Sequence, residues 1–131
     1  MGSREQTEAR VDQFIFAEID SVPHLEALLL IWNSRPQPWS AENLANRLYI
    51  PQEAVGRLLA DLMNRGFISK VATQPEGYRY ESSSLEQDGL MADVDAAYRR
   101  EVVRISTMIH AKPSAAVREF ARAFRLKKES E

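Results

Sequence analysis

The side chains best suited to catalysis or metal binding in this sequence are its two histidines, His24 and His110. A catalytic or metal-binding histidine needs a nucleophile motif or further ligands at a suitable spacing, and neither histidine has them. Asp93 and Asp95 are a carboxylate pair, but they fall on different faces of a helix. The glycines form no phosphate-binding loop. We therefore predict a protein that is not an enzyme, with no catalytic residue, metal ligand or cofactor, and we interpret both histidines as structural.

Basic side chains are the next candidates, and they are concentrated toward the C-terminal end. The net charge of −2 and the pI of about 5.8 are not typical of a dedicated nucleic-acid binder. Residues 82–98 contain acidic residues and no basic one, whereas basic residues predominate in 99–128. After Pro113, Ser114 can cap a last helix whose apolar face contains Val117, Phe120, Ala121 and Phe124. Three arginines lie off this apolar face: Arg118, Arg122 and Arg125.

Two uses of this basic C-terminal helix are consistent with its pattern. Its arginines could bind an acidic protein partner, an anionic lipid surface or nucleic acid. Alternatively, the helix packs Phe120 and Phe124 on its own domain and leaves the arginines in water.

Two short helices separated by a proline are predicted between residues 38 and 66. Ser40 can cap the first helix, because its hydroxyl can accept a hydrogen bond from a free backbone N–H. Pro51 ends the first helix and suits the start of the second, and Gly66 can adopt the left-handed conformation that ends the second. Apolar residues recur at helical spacing in both: Leu44, Ala45 and Leu48 in the first, and Ala54, Leu58, Leu59, Leu62 and Met63 in the second.

A β-hairpin follows these helices directly. Residues 67–72 and 78–81 predict two strands joined by a turn, and an apolar helix capped by Ser21 precedes the helix pair. The sequence pattern is hydrophobic-Ser-Ala-Glu-x-Leu-Ala-x-x-Leu, followed by a proline-opened helix that ends Leu-x-x-x-Gly-Phe-Ile. This arrangement resembles the winged helix-turn-helix domain of bacterial transcription regulators over residues 20–81. The resemblance implies a mostly α fold with a β-hairpin wing and a sheet of two or three strands. Apolar residues at helical spacing after residue 82 predict two additional C-terminal helices.

In winged-helix regulators the second helix of the motif enters the DNA major groove, and the wing contacts the neighbouring backbone or minor groove. The resemblance therefore implies binding of double-stranded DNA in transcription regulation. Gln52 and Arg57 can read adenine and guanine edges through paired hydrogen bonds. Glu53 and Asp61 place negative charge on or near the same face, so we expect weak binding by a single chain. The predicted DNA-binding residues are Ser40, Asn43, Gln52, Arg57, Asn64, Lys70 and Arg79.

A non-enzymatic protein-interaction or adaptor role is the alternative function. Winged-helix scaffolds also serve as docking modules, and residues 20–81 are close to neutral in net charge. In that case the basic C-terminal helix would bind the protein partner through Arg118, Arg122 and Arg125.

Residues 82–112 predict one long amphipathic helix, capped by Ser84 and ended before Pro113. Its apolar stripe must be covered either by the winged-helix domain of the same chain or by the same helix of a second chain. The second arrangement would make a homodimer. The stripe consists of Met91, Val94, Tyr98, Val102, Ile105 and Ile109.

The N-terminal residues 1–19 are predicted to form an arm. Residues 1–10 are polar and expected to fray, and 11–19 form either a third strand of the wing sheet or a short helix. The sequence has no cysteine, signal peptide or transmembrane segment, so we expect a cytoplasmic protein. We divide the chain into the arm, the winged helix-turn-helix domain (20–81), the long helix (82–112), and a basic helix and tail (113–131).

Overall fold

The structure of the chain is a computed structural model that describes residues 3–113 and Ala123. Within these residues the fold is mostly helical with a small antiparallel sheet, which confirms the predicted winged-helix fold class. The elements are α1 (Arg4–Glu18), α2 (Val22–Asn33), β1 (Trp39–Ser40), α3 (Ala41–Leu48), α4 (Gln52–Asn64), β2 (Ile68–Val71), β3 (Gly77–Tyr80), α5 (Leu85–Arg100) and α6 (Val102–Ala111).

Local sequence signals define the ends of several helices as predicted. The hydroxyls of Ser21, Ser40 and Ser84 each accept a hydrogen bond from the backbone N–H three residues later, at 3.3, 3.1 and 3.0 Å. These bonds satisfy N–H groups that have no partner within the helix. Gly66 follows α4 with a φ of 82°, a conformation that glycine adopts without a steric penalty. The predicted caps and the predicted glycine terminator are confirmed.

The sheet has the strand order β1-β3-β2, and both pairs are antiparallel. Its third strand is β1, just before α3, and not the N-terminal segment that was one of the predicted alternatives. Gly77 in β3 pairs with Ser40 of β1. A Cβ atom added at Gly77 would lie 2.8 Å from the Cβ of Pro38, so the contact between β1 and β3 requires glycine at this position.

The predicted N-terminal arm contains a regular helix, α1. Of the two alternatives for residues 11–19, the helix is therefore correct and the strand is wrong, and the expected fraying of residues 1–10 is wrong for residues 4–10. Ser3 and Gln6 form a reciprocal capping box at the start of α1. Val11, Phe14 and Ile15 lie on its buried face. The apolar run of this segment belongs to a helix because the core of the domain covers one side of it.

The prediction of one long helix over 82–112 is also wrong, because the helix is interrupted at Glu101. This residue has φ −132° and ψ 48°, outside the helical region, and it separates α5 from α6. The bend allows α6 to contact α1, α2 and α5. Neither proline nor glycine marks the bend in the sequence. The interruption therefore follows from packing on the rest of the chain.

One hydrophobic core joins the winged-helix elements to α1, α5 and α6. The core includes residues from each of the helices α1 to α6. The largest side chains that are fully buried are Ile15, Ile19, Leu25, Leu28, Ile31, Leu44, Leu59, Leu62, Met91 and Ile105.

Within the described part of the chain, no helix has both the length and the hydropathy needed to cross a membrane.

Candidate nucleic-acid interface

Helix α4 has one buried face and one exposed face. Val55, Leu58, Leu59 and Leu62 are buried against the core, whereas Ala54, predicted to face inward, is half-buried. The opposite side of the helix faces away from the core and is mostly polar. The exposed residues of this side are Gln52, Glu53, Gly56, Arg57, Ala60 and Asn64.

Two of the predicted phosphate-contacting residues lie at the start of α3. The Ser40 hydroxyl accepts a hydrogen bond from the backbone N–H of Asn43, which leaves its own O–H free to donate to another group. The side chain of Asn43 is exposed. Both residues therefore lie at a helix N-terminus, where backbone N–H groups and the helix dipole favour an anion such as a phosphate.

The turn between α3 and α4 contains a residue that the sequence analysis did not single out. Tyr49 has φ 57° and ψ 43°, a left-handed conformation that is uncommon for a residue other than glycine or asparagine. Its side chain is 93% exposed. No sequence signal predicts tyrosine at this position, because glycine is the usual residue where the backbone must turn in this way.

Asp61, an acidic residue near the exposed face of α4, has a partner within the fold. Its Oδ2 lies 3.0 Å from Nε2 of His24 in α2, and the Ser21 hydroxyl lies 2.6 Å from Nδ1 of the same ring. His24 therefore connects α2 to α4 and is a hydrogen-bond partner of the Asp61 carboxylate. This contact gives His24 the structural role that the sequence predicted.

The wing carries the other two predicted DNA-binding residues, and their surroundings differ. Lys70 of β2 forms an ion pair with Glu76 in the turn, with Nζ and Oε1 3.3 Å apart. Arg79 of β3 is exposed and, among the described residues, makes no ion pair or side-chain hydrogen bond. The turn itself is shaped by a hydrogen bond of 2.7 Å from the Thr73 hydroxyl to the carbonyl of Pro75.

A polar network at the base of the wing connects β3 to α5. The Tyr80 hydroxyl donates to Asp88 at 2.8 Å and accepts from Gln87 at 3.1 Å, and the Ser82 hydroxyl donates to Asp88 at 2.8 Å. Burial raises the pKa of the Tyr80 phenol to about 12. The hydrogen bonds from Ser82 and Tyr80 lower the pKa of the Asp88 carboxyl. These bonds form between residues that were not predicted to interact.

The other side of Tyr80 is covered by aromatic and cationic groups. Its ring meets that of Trp32 edge to face at 4.8 Å, and the Arg35 guanidinium lies 3.3 Å from the centroid of the Trp32 ring. The base of the wing is thus held between α2 and α5. Arg35 is a basic residue of the wing region that the sequence analysis did not assign to a site.

Within the described part of the chain, no three histidine, cysteine, aspartate or glutamate residues come close enough together to hold a metal ion. The second histidine, His110, is exposed in the last turn of α6.

The residues proposed for a homodimer interface are mostly covered within the same chain. Met91, Val94, Ile105 and Ile109 are buried in the monomer, Tyr98 is half-buried, and Val102 is 46% exposed. The prediction that the apolar stripe packs on its own domain is therefore correct for these four buried residues. Because they are covered within the monomer, they cannot form the predicted interface in this fold. The proposed partner-binding residues Arg118, Arg122 and Arg125 lie outside the described residues.

Several solved structures have a similar fold. HlyU from Vibrio cholerae aligns with a TM-score of 0.52 and 18% identity over 76% of this chain and 97% of that chain. MepR, a transcription regulator of the Staphylococcus aureus multidrug efflux pump MepA, aligns with a TM-score of 0.54 and 12% identity over 96% of this chain and 90% of its own.

A third similar structure is the MarR family transcriptional regulator SPO1453 from Silicibacter pomeroyi. It has a TM-score of 0.54 and 18% identity, covering 92% of this chain and 85% of that chain. No protein-family model matches the sequence, and no curated protein matches it. At such low identities the alignments establish the fold: the chain has the winged-helix architecture of these regulators, and the resemblance inferred from its sequence is confirmed.

Proposed function

We propose that this protein binds double-stranded DNA in a sequence-specific manner and regulates transcription. The observation that carries the proposal is the exposed polar face of α4, which is held in place by four buried apolar residues on its other side. In a winged-helix fold the equivalent helix enters the major groove. The similarity of the whole fold to bacterial regulators supports the same function.

Two residues of α4 would read the bases. Arg57 and Gln52 are exposed and, within the described part of the chain, their side chains make no hydrogen bond or ion pair. An arginine can donate two hydrogen bonds to the O6 and N7 atoms of guanine, and a glutamine can pair with N6 and N7 of adenine. Asn64 lies at the far end of the same helix and would be the last α4 contact.

The remaining predicted residues would contact the DNA backbone. Ser40 and Asn43 lie at the N-terminus of α3, and Lys70 and Arg79 lie on the wing. Phosphate contacts position a protein on DNA and supply much of its affinity, whereas contacts to base edges supply specificity. Glu53 adds a negative charge to the exposed face of α4, which lowers the affinity of one chain.

A homodimer would compensate for this weak affinity by contacting two half-sites. The six-residue interface predicted from sequence is unsuitable, since most of its residues are buried. Large apolar side chains that remain exposed on α1 and at the start of α6 are Phe16 at 55%, Val102 at 46% and Val103 at 75%. We propose that a second copy of the chain covers these exposed apolar side chains. The proposed regulator would act in the cytoplasm and would require no catalytic step.

The first experiment measures binding of the purified protein to random-sequence duplex DNA at low and moderate salt. Salt-sensitive binding is expected, because neutralised phosphates release counterions. Sedimentation of the same sample shows whether the protein is a dimer. An absence of binding even at low salt would contradict the proposed function and favour a protein-interaction role.

Arg57→Ala then tests the assignment of α4 on a DNA site selected by the protein. Loss of a paired arginine–guanine contact is expected to weaken binding to that site by about 1–3 kcal/mol and to reduce discrimination at one base position. Arg47→Ala is the matched control, since Arg47 is also an exposed arginine but lies in the last turn of α3. Equal affinities for the wild type and Arg57→Ala would show that α4 does not read the groove through Arg57.

A further inference from the structure

The wing of this protein carries a lysine, Lys70, that is ion-paired with a carboxylate of the same chain. Lys70 lies in β2, and Glu76 lies at the end of the turn, one residue before β3. Their charged atoms are 3.3 Å apart, and the two side chains are 50% and 54% exposed. At that exposure the pair is in contact with water, so either member can exchange its partner for another ion.

We propose that Glu76 restrains the DNA affinity of the wing by competing with a phosphate for Lys70. This inference rests on the proposed function, because DNA supplies the competing phosphate. A phosphate that binds Lys70 shares the lysine ammonium with the Glu76 carboxylate or displaces that carboxylate, and in either case the carboxylate stands beside the negatively charged backbone. The wing contact therefore contributes less to binding than a free lysine would.

The turn keeps Glu76 close to Lys70. The hydrogen bond from the Thr73 hydroxyl to the carbonyl of Pro75 closes the turn immediately before Glu76. On its other side, Gly77 is paired with Ser40 of β1, at a position where an added Cβ would lie 2.8 Å from the Cβ of Pro38. The backbone on both sides of Glu76 is therefore held by contacts. The Glu76 carboxylate is thereby held near Lys70.

Arg57 and Arg79 provide a comparison within the same candidate interface. Neither has an ion-pair partner in the part of the chain that the structure describes, and both are exposed. Among the three predicted basic contacts, Lys70 alone is ion-paired to an acidic side chain within the described residues. This difference predicts that removing the carboxylate of Glu76 increases binding, whereas removing the guanidinium of Arg57 decreases it.

The test measures the affinity of Glu76→Gln for random-sequence duplex DNA across a series of salt concentrations. We expect affinity to rise about two- to fivefold at low salt, the range set by the energy of an exposed ion pair. The salt dependence should become steeper by about one phosphate contact. Glu81→Gln is the matched control: it removes the same charge just beyond β3, and Glu81 makes no ion pair among the described residues.

A second background separates competition for Lys70 from a general change in charge. In Lys70→Gln protein, the gain caused by Glu76→Gln should fall to that of Glu81→Gln, because no lysine remains to be released. An equal gain in both backgrounds, or equal gains for the two glutamate substitutions in wild-type protein, would overturn the inference and leave DNA binding itself unaffected. If neither wild type nor Glu76→Gln binds DNA at low salt, the proposed function is wrong, and the inference that rests on it is wrong with it.

Discussion

Helix α4 and helix α1 are attached to the same core by different forces. The attachment of α4 is mainly apolar, through Val55, Leu58, Leu59 and Leu62. Helix α1 also buries apolar residues, but it makes several charged contacts with distant parts of the chain. Arg104 of α6 donates to both carboxylate oxygens of Asp12 at 3.1 and 3.0 Å, Arg65 donates to Glu18 at 2.8 Å, and Lys112 donates to the carbonyls of Ile15 and Ile19.

This difference indicates that the two parts of the molecule respond to different changes. The position of α4 depends mainly on the volume and shape of buried side chains, although Asp61 contacts His24 and Arg65 at its C-terminal end pairs with Glu18. It should therefore be sensitive to truncation and less sensitive to salt than the position of α1. The position of α1 depends in addition on exposed and half-exposed ion pairs, which salt screens. Because α4 carries the candidate base-reading residues, its apolar attachment would keep the interface in place when ionic strength changes.

The largest effect is expected from Leu58→Ala in α4. Leu58 is 4% exposed, so truncation leaves a cavity in the core and should lower the free energy of unfolding by about 2–5 kcal/mol. Denaturant unfolding at low and high salt should give the same loss. The neighbouring Arg57→Ala is the exposed control and should change stability by less than about 0.5 kcal/mol. A loss for Leu58→Ala as small as that of the control would show that α4 does not bury this face.

A smaller effect that depends on salt is expected from Arg104→Met. This substitution removes hydrogen bonds to Asp12 and Glu101 and should lower the free energy of unfolding by roughly 1.5–3 kcal/mol, the usual range for hydrogen bonds to charged groups. The loss should shrink at high salt, because the interaction that is removed is itself screened. Arg100→Met is the control, since Arg100 is exposed and has no ion pair within the described residues. A salt-independent loss would mean that Arg104 stabilises α1 by packing rather than by charge.

The smallest expected effect is a pH dependence of the free energy of unfolding, and it arises at the junction between the wing and α5. The pKa of the Asp88 carboxyl is lowered in the folded state by hydrogen bonds from Ser82 and Tyr80. The folded protein therefore binds fewer protons at this site than the unfolded chain. The resulting stabilisation is present above the unfolded pKa, about 4, and is lost as pH falls through the folded pKa.

Comparison of urea unfolding at about pH 5 and about pH 3 checks this dependence. The wild type should lose more stability on acidification than a variant that combines Tyr80→Phe with Ser82→Ala, which lacks both donors to Asp88. Identical losses in the two proteins would show that the Asp88 network does not contribute to acid sensitivity.

Much of the winged-helix unit could be predicted because its signals are local. Serine caps, Pro51 and Gly66 act on the few residues next to them, and the period of the apolar residues distinguishes helix from strand. The proline and glycine of the helix pair therefore located α3 and α4, and the hairpin was recognised from the turn between its strands. The candidate DNA-binding residues followed from the resemblance to winged-helix regulators. The structure places six of the seven at exposed positions: Asn43, Gln52, Arg57, Asn64, Lys70 and Arg79.

Other features could not be predicted because they depend on residues far apart in the chain. Sequence spacing did not reveal that Glu76 engages Lys70 or that Asp88 receives hydrogen bonds from Tyr80 and Ser82. It also left open whether the apolar stripe of 82–112 faces its own domain or a second chain. Such pairings are chosen by the geometry of the folded backbone.

The sequence by itself determined the order of the winged-helix elements, their caps, and the exposed polar character of α4, because each follows from nearest neighbours and helical period. Only the tertiary structure decided that the N-terminal segment is a helix, that the chain bends at Glu101, and that Met91, Val94, Ile105 and Ile109 are buried in the monomer. The physical reason is that an apolar stripe specifies a surface to be covered, whereas the element that covers it is selected by the packing of the whole chain.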